Sequence, residues 1–140
     1  YRKNLLKDKK TMAFNKINGG TVDFNEKIWQ PWYALWMNDA KYYYAYIYDD
    51  ILKKYIGEVS YYFEEEYREY VLNIIVEAKY RHLGKGKEAL ELLCQQAKEN
   101  GLRFLCDDIE INNPAKNLFL DLGFKEVWAR ENITMLKKRL

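Results

Sequence analysis

Residues 79–90, KYRHLGKGKEAL, set Gly84 and Gly86 between basic side chains at the head of a leucine-bearing run. Glycines there let an anion approach the backbone closely. A helix that starts at such a loop offers unpaired N–H groups and the positive end of its dipole. The chemistry is phosphate binding, with Arg81, Lys85 and Lys87 adding formal charge. Three phosphate-binding patterns compete. A Walker-type loop, G-x-x-x-x-G-K-[ST], is excluded because Glu88 follows Lys87 and residue 81 is arginine. The dinucleotide fingerprint G-x-G-x-x-[GA] is met by Gly84, Gly86 and Ala89, with Asp107 downstream. In that fold, however, the first glycine closes its strand directly, whereas here Glu77 to Leu83 intervene and no second mononucleotide-type half follows. The third pattern, V-x-x-x-x-[QR]-x-x-G-x-G, is met by Val76, Arg81, Gly84 and Gly86.

A second segment, INNPAKNLFLDLGFKEV, carries Asn112, Ala115, Phe119, Gly123 and Phe124 in the arrangement N-x-x-A…[FY]…GF. With both motifs in this order, the chain resembles the GNAT superfamily of acyl-CoA-dependent N-acyltransferases. The resemblance is clear from about Ile56 to Leu140. It is looser over residues 1–40, where two helices would form the acceptor side. It implies acetyl-CoA as cosubstrate and direct attack by a primary amine, from a small molecule or a peptide. The pyrophosphate would sit on the amides of Leu83, Gly84, Lys85, Gly86 and Lys87, with Arg81 at the loop entrance and His82 beside the phosphate. The pantetheine would lie between strands 70–77 and 104–111, splayed near their ends, against free backbone groups of Val76 and Ala78. The thioester carbonyl would accept a hydrogen bond from an amide near Val76, a preorganised oxyanion-type donor. Asn112 would hold the pantetheine arm or an ordered water, with Asn117 close to the cofactor's outer part.

An ammonium has no lone pair, so the acceptor must first lose a proton. Glu77 and Glu110 are the candidate bases put forward, with Asp108, Glu58 and His82 as further candidates. By alternation Asn73 and Glu77 share one face of their strand, and Glu110 and Asn112 one face of theirs. Phe119 departs from the family pattern, which often places there a tyrosine that protonates the departing thiolate. A thiol of pKa about 8.5 is a tolerable leaving group without help. The departure also keeps open a second reading, a catalytically weak or inactive acyl-CoA-binding or sensing module on the same fold.

The elements that must position these residues follow from the pattern along the chain. The first 40 residues read as helical, anchored by Leu5, Leu6 and Met12 and broken at Gly19-Gly20. A second helix begins after Asn25 as N-cap, with Pro31 early and Trp29, Trp32, Leu35 and Trp36 on one core-facing side. YYYAYIYDD, KYIGEVSYYFEE and EYVLNIIVEA read as strands. The charged turn EEEYRE joins the last two into an antiparallel meander. A helix over 84–100, buried through Leu90, Leu93, Cys94 and Ala97, ends at Gly101. A strand over RFLCDDIEIN, a short helix with Pro114 in its first turn, and strands FKEVWAR and ITMLKKRL complete the order αα, βββ, α, β, α, ββ. The expected class is α/β: the GNAT fold, a mixed but mainly antiparallel twisted sheet with helices on both faces. One right-handed parallel βαβ unit lies at the acyl-CoA site.

The 140 residues suffice for one domain, 1–140, with a real core. A formal net charge of +2 argues for neither nucleic acid nor an anionic membrane. No apolar run is long enough to span a bilayer. Cys94, Cys106 and the one histidine match no zinc signature, and read as buried free thiols and a loop side chain in a reducing, cytoplasmic compartment. No signal peptide is visible at Tyr1, and the chain does not start with Met. An exposed edge strand would make a homodimer unsurprising.

Overall fold

The computed structural model describes residues 1–15 and 20–140; Gly19 of the predicted break lies outside them. The elements are α1 (Arg2–Lys7), α2 (Glu26–Asn38), β1 (Tyr42–Asp49), β2 (Lys54–Glu64), β3 (Glu69–Val76), α3 (Lys85–Glu99), β4 (Phe104–Glu110), α4 (Lys116–Asp121), β5 (Lys125–Arg130) and β6 (Ile133–Arg139). A 3₁₀ turn, Ala78–Tyr80, follows β3. The six strands form one sheet in the order β1-β2-β3-β4-β6-β5. Every neighbouring pair is antiparallel except β3 and β4. The structure therefore has the predicted element order and class.

Cross-strand partners share a face and successive residues alternate. Tyr44, Ser60 and Asn73 are in register on one face, which continues through Val71 to Cys106 and Asp108. Tyr43, Tyr61, Leu72, Leu105 and Asp107 take the other. The second face carries the main core, where Val59, Tyr61, Leu72, Leu105 and Leu136 meet Leu90, Leu93 and Ala97 of α3 and Phe119 of α4. Helix α3 ends in a Schellman motif, with Gly101 N–H on Lys98 C=O and Leu102 N–H on Ala97 C=O, both at 3.0 Å. Gly101 makes this possible at φ +92°.

The first face is covered by α1 and α2. Asn25 caps α2, its side chain accepting from Lys27 N–H at 3.1 Å. Leu6, Met12 and Phe24 form a small second cluster, joined by Trp32 and Ile75. Trp32 and Trp36 stand edge-on to Tyr44 and Tyr42, each at 4.8 Å. The predicted stripe is narrower than expected, since Trp29 and Leu35 are 40% and 46% exposed. Trp32 and Trp36, one turn apart, are the residues that reach the tyrosines of β1. Pro31 is the sixth residue of α2, past its first turn, and is exposed.

Strand β2 approaches β3 closely where Gly57 faces Val76. A Cβ on Gly57 would lie 2.1 Å from the Ile75 carbonyl oxygen and 3.1 Å from Ile47 Cδ1. Relief would require moving the backbone at the end of β3. Gly57→Ala is therefore expected to cost about 2 kcal/mol of stability. Thermal melting checks this, and a variant that melts with the parent would contradict the tight approach.

Candidate active site

The phosphate-type loop begins where β3 ends. Gly84, at φ +78°, is the N-cap of α3, a left-handed conformation that suits glycine. The first bond of the helix runs from Glu88 N–H to Gly84 C=O at 3.2 Å. The amides of Lys85, Gly86 and Lys87 precede that bond and have no helical acceptor. A Cβ on Gly86 would lie 3.5 Å from Leu118 Cδ2 and 3.9 Å from Val76 Cγ2. These contacts set the helix start between the end of β3 and α4. His82, at φ +62°, and Leu83 are exposed on the loop.

Two of the predicted cations have protein partners. Lys85 Nζ lies 2.5 Å from Asp49 Oδ2, while Asp49 Oδ1 accepts from the amides of Ile51 and Leu52 at 2.9 Å. The Lys85 bond, foremost, holds the Asp49 carboxyl below its usual range, and the same bond raises Lys85. The charge of Lys85 thus fastens the β1–β2 turn, leaving its amide to the loop. Arg81 donates from Nε to Val76 C=O at 3.0 Å and from Nη2 to Thr11 C=O at 2.6 Å. Lys87 is exposed and has no side-chain partner among the described residues.

Strands β3 and β4 part early. Among the described residues Val71 and Cys106 are their one ladder pair, so the strands separate toward Val76 and Glu110. Glu77 N–H reaches back to Ile56 C=O on β2 at 2.8 Å, so the Val76 N–H, one residue earlier, points the other way, into the gap. The expectation of free groups at both Val76 and Ala78 holds only for that amide. The Val76 carbonyl serves Arg81, and Ala78 N–H donates to Thr11 Oγ1 at 3.0 Å.

The face under α1 and α2 gathers aromatic rings and carboxyls. Tyr67 donates to Asp108 at 3.1 Å and packs against Trp128 at 5.8 Å. Tyr62 donates to Glu64 at 3.1 Å and meets Trp36 at 5.9 Å. Burial, foremost, raises the Asp108 carboxyl, while the Tyr67 bond opposes the rise. Burial and then the Asp108 charge push Tyr67 up to about 12. Glu110 is half-buried on the same face, with no side-chain partner among the described residues. Glu58 is 1% exposed and already engaged. Arg2 donates to its two oxygens at 3.0 and 3.3 Å, and Tyr44 donates as well. The Arg2 guanidinium also lies over Phe24 and Trp32, at 4.4 and 4.5 Å. Glu77 accepts from Tyr1 Oη at 3.1 Å. Asp108 and Glu110 are brought together by alternation along β4, and Glu77 stands apart beyond the end of β3.

Asn112 and Asn117 are exposed, in the turn after β4 and on α4. The capping contact before α4 belongs to Asn113, which accepts from Ala115 N–H at 2.9 Å. Phe119 is 1% exposed and stands edge-on to Phe124 at 5.0 Å. Asp107 is buried on the core face, one position past the Val71–Cys106 pair. In FLCDDIE this carboxyl occupies the apolar parity of Leu105 and Ile109. Among the described residues, no group of three or more His, Cys, Asp or Glu can hold a metal ion, and no helix is long and apolar enough to cross a membrane.

The loop with unpaired amides at the head of α3 opens beside the gap between two parallel strands, and the chain belongs to the acetyltransferase (GNAT) family, whose sequence model matches residues 10–124. It is an acetyl-CoA-dependent acyltransferase. No curated protein sequence matches the chain. Among solved structures, a domain from Methanocaldococcus jannaschii shares 19% identity at TM-score 0.76, over 99% of this chain and 90% of that one. Spermidine N-acetyltransferase from Vibrio cholerae, solved with CoA and spermine, shares 15% at TM-score 0.78, over 99% and 87%. Ribosomal-protein-alanine N-acetyltransferase from Brucella melitensis shares 20% at TM-score 0.69, over 99% and 96%.

The residues fit the cosubstrate. The unpaired amides at the head of α3 and the free charge of Lys87 suit a pyrophosphate, and the inward Val76 N–H suits a carbonyl. When bound, acetyl-CoA supplies the activated acyl group. Gly86→Ala makes only ordinary contacts and is expected to stay within about 1 kcal/mol of the parent. Gly86→Asp sets a carboxylate at the cradle and is expected to weaken acetyl-CoA at least about tenfold, or 1.4 kcal/mol. Calorimetric titration of both variants checks the pair; equal affinities would remove the cradle from the site.

Proposed function

We propose that the chain transfers the acetyl group to a primary amine by direct attack, and that the acceptor carries additional positive charge. The observation carrying this reading is the parting of β3 and β4 between an anion cradle and a face bearing Asp108, Glu64 and Glu110. None of these three carboxyls has a cationic partner among the described residues. Rings of Trp36, Tyr62, Tyr67 and Trp128 flank them, and aromatic faces attract cations. An amine entering there meets carboxyls able to take its proton. Asp108 and Glu110 take that role in this reading, and Glu77 is set aside because Tyr1 occupies it. The Val76 amide polarises the thioester carbonyl as negative charge develops on oxygen. A proposal that requires no amine, acyl-CoA binding without turnover, draws support from Phe119, which offers no hydroxyl for the leaving sulfur.

Thiol release from acetyl-CoA against a panel of amines separates these readings. Polyamines and lysine-bearing peptides are expected to turn over faster than neutral primary amines. Glu64→Gln should raise KM for the cationic acceptors about tenfold, and Asp108→Asn should in addition lower kcat, neither changing acetyl-CoA affinity. Binding of acetyl-CoA with no thiol release across the panel would favour the sensing module.

A further inference from the structure

Arg81, expected at the entrance of the phosphate loop, directs its hydrogen bonds to main-chain carbonyls. Nε donates to Val76 C=O at 3.0 Å, Nη2 to Thr11 C=O at 2.6 Å and Nη1 to Lys10 C=O at 3.5 Å. Among the described residues no carboxylate forms an ion pair with it. Its positive charge is therefore held by neutral oxygens. Thr11, its partner on the helical side, is fixed in turn. The Thr11 side chain is buried. Its N–H donates to the Asp8 carboxylate at 3.1 Å, and its hydroxyl donates to the same carboxylate. With that proton committed, the hydroxyl oxygen accepts from Ala78 N–H at 3.0 Å. Glu77 N–H, in the same peptide unit as the Val76 carbonyl, donates to Ile56 C=O at 2.8 Å. This peptide plane is thus pinned from two sides, by β2 and by Arg81.

In a strand the N–H and C=O of one residue point to the same side. The Val76 amide and the Val76 carbonyl therefore face the gap together. An acyl oxygen held by the amide would lie beside the lone pairs of that carbonyl, and the two oxygens would repel. Arg81 covers those lone pairs with an N–H and sets a positive charge next to the amide. We propose that Arg81 is a positioning residue for the Val76 amide. With Thr11 and Asp8 as its anchor, it keeps that donor aimed at the thioester carbonyl and favours negative charge on the acyl oxygen. This rests on the acetyl-transfer reading, in which the Val76 amide polarises the thioester, and it assigns Arg81 to the acyl carbonyl rather than to the pyrophosphate.

The infrared carbonyl band of bound acetyl-CoA, isotope-labelled at its thioester carbon, reports this polarisation without any acceptor amine. In the parent the band is expected below its position in free acetyl-CoA. Arg81→Gln should return it most of the way to the free position. With a turned-over amine the same variant should lower kcat on the order of thirtyfold. Its calorimetric affinity for CoA, which has no acyl carbonyl, should stay within about twofold of the parent. Thr11→Val should move the band in the same direction by a smaller step, and Thr11→Ser should restore it. If Arg81→Gln does not fold, the Thr11 pair decides alone. A band left in place by Arg81→Gln or by Thr11→Val overturns the assignment. So does a loss of CoA affinity in Arg81→Gln with kcat intact, which returns the guanidinium to the pyrophosphate. A parent band that coincides with free acetyl-CoA would instead remove the polarising role of Val76, and this inference with it.

Discussion

Backbone N–H and C=O groups inside a sheet need partners, and unpaired ones are costly when buried. Strands β3 and β4 are parallel neighbours joined at Val71 and Cys106, so from there toward Val76 their facing groups must be satisfied some other way. The protein answers for the Val76 carbonyl with the Arg81 guanidinium and leaves the Val76 amide facing the opening. Much else serves to hold that opening. Gly57 brings β2 against the back of β3 so closely that a side chain has no room. The start of α3 packs against Val76 through a position with no side chain of its own. The gap is thus a maintained break in the hydrogen-bond ladder, flanked by some of the tightest packing in the molecule.

The charges are divided by the same geometry. Glu58 is buried with Arg2 and Tyr44, and Asp49 with Lys85; both are structural fasteners. A buried carboxylate stripped of its cation is strongly destabilising, so neither pair is free to exchange partners during a reaction. Among the described residues, Asp108 and Glu110 on β4 and Glu64 at the end of β2 have no cationic partner. Formal charge near a loop is therefore a poor guide to ligand binding. Of Arg81, Lys85 and Lys87, only Lys87 has no side-chain partner among the described residues.

The sequence made the local features legible. Gly84 and Gly86, the N-cap at Asn25, the glycine after α3 and the alternation along the strands each depend on neighbours a few residues away. What it hid depends on long-range contacts. Nothing near Arg81 indicates that Thr11, 70 positions earlier, will take its guanidinium, or that Asp49 will claim Lys85. The tryptophan spacing in α2 identified a helical face but not its width, because the width is set by which rings of β1 lie beneath it. Asp107 shows the reverse case. Its place in the apolar row of Leu105 and Ile109 was visible from alternation along the strand, whereas its burial depends on α3 and β6 packed against it.

Thr11 offers a hydroxyl to Ala78 and a carbonyl to Arg81, while Met12, next to it, is buried with Leu6 and Phe24 under α2. Residues 10–12 therefore act as a staple between the helical cover on one side of the sheet and the loop entrance on the other. Local opening follows shared contacts rather than chain order. Fraying of this short stretch would release the end of β3 and loosen the helix above it together. Amide exchange in the two regions should rise and fall as one cooperative unit, though they are separated by three strands in the chain.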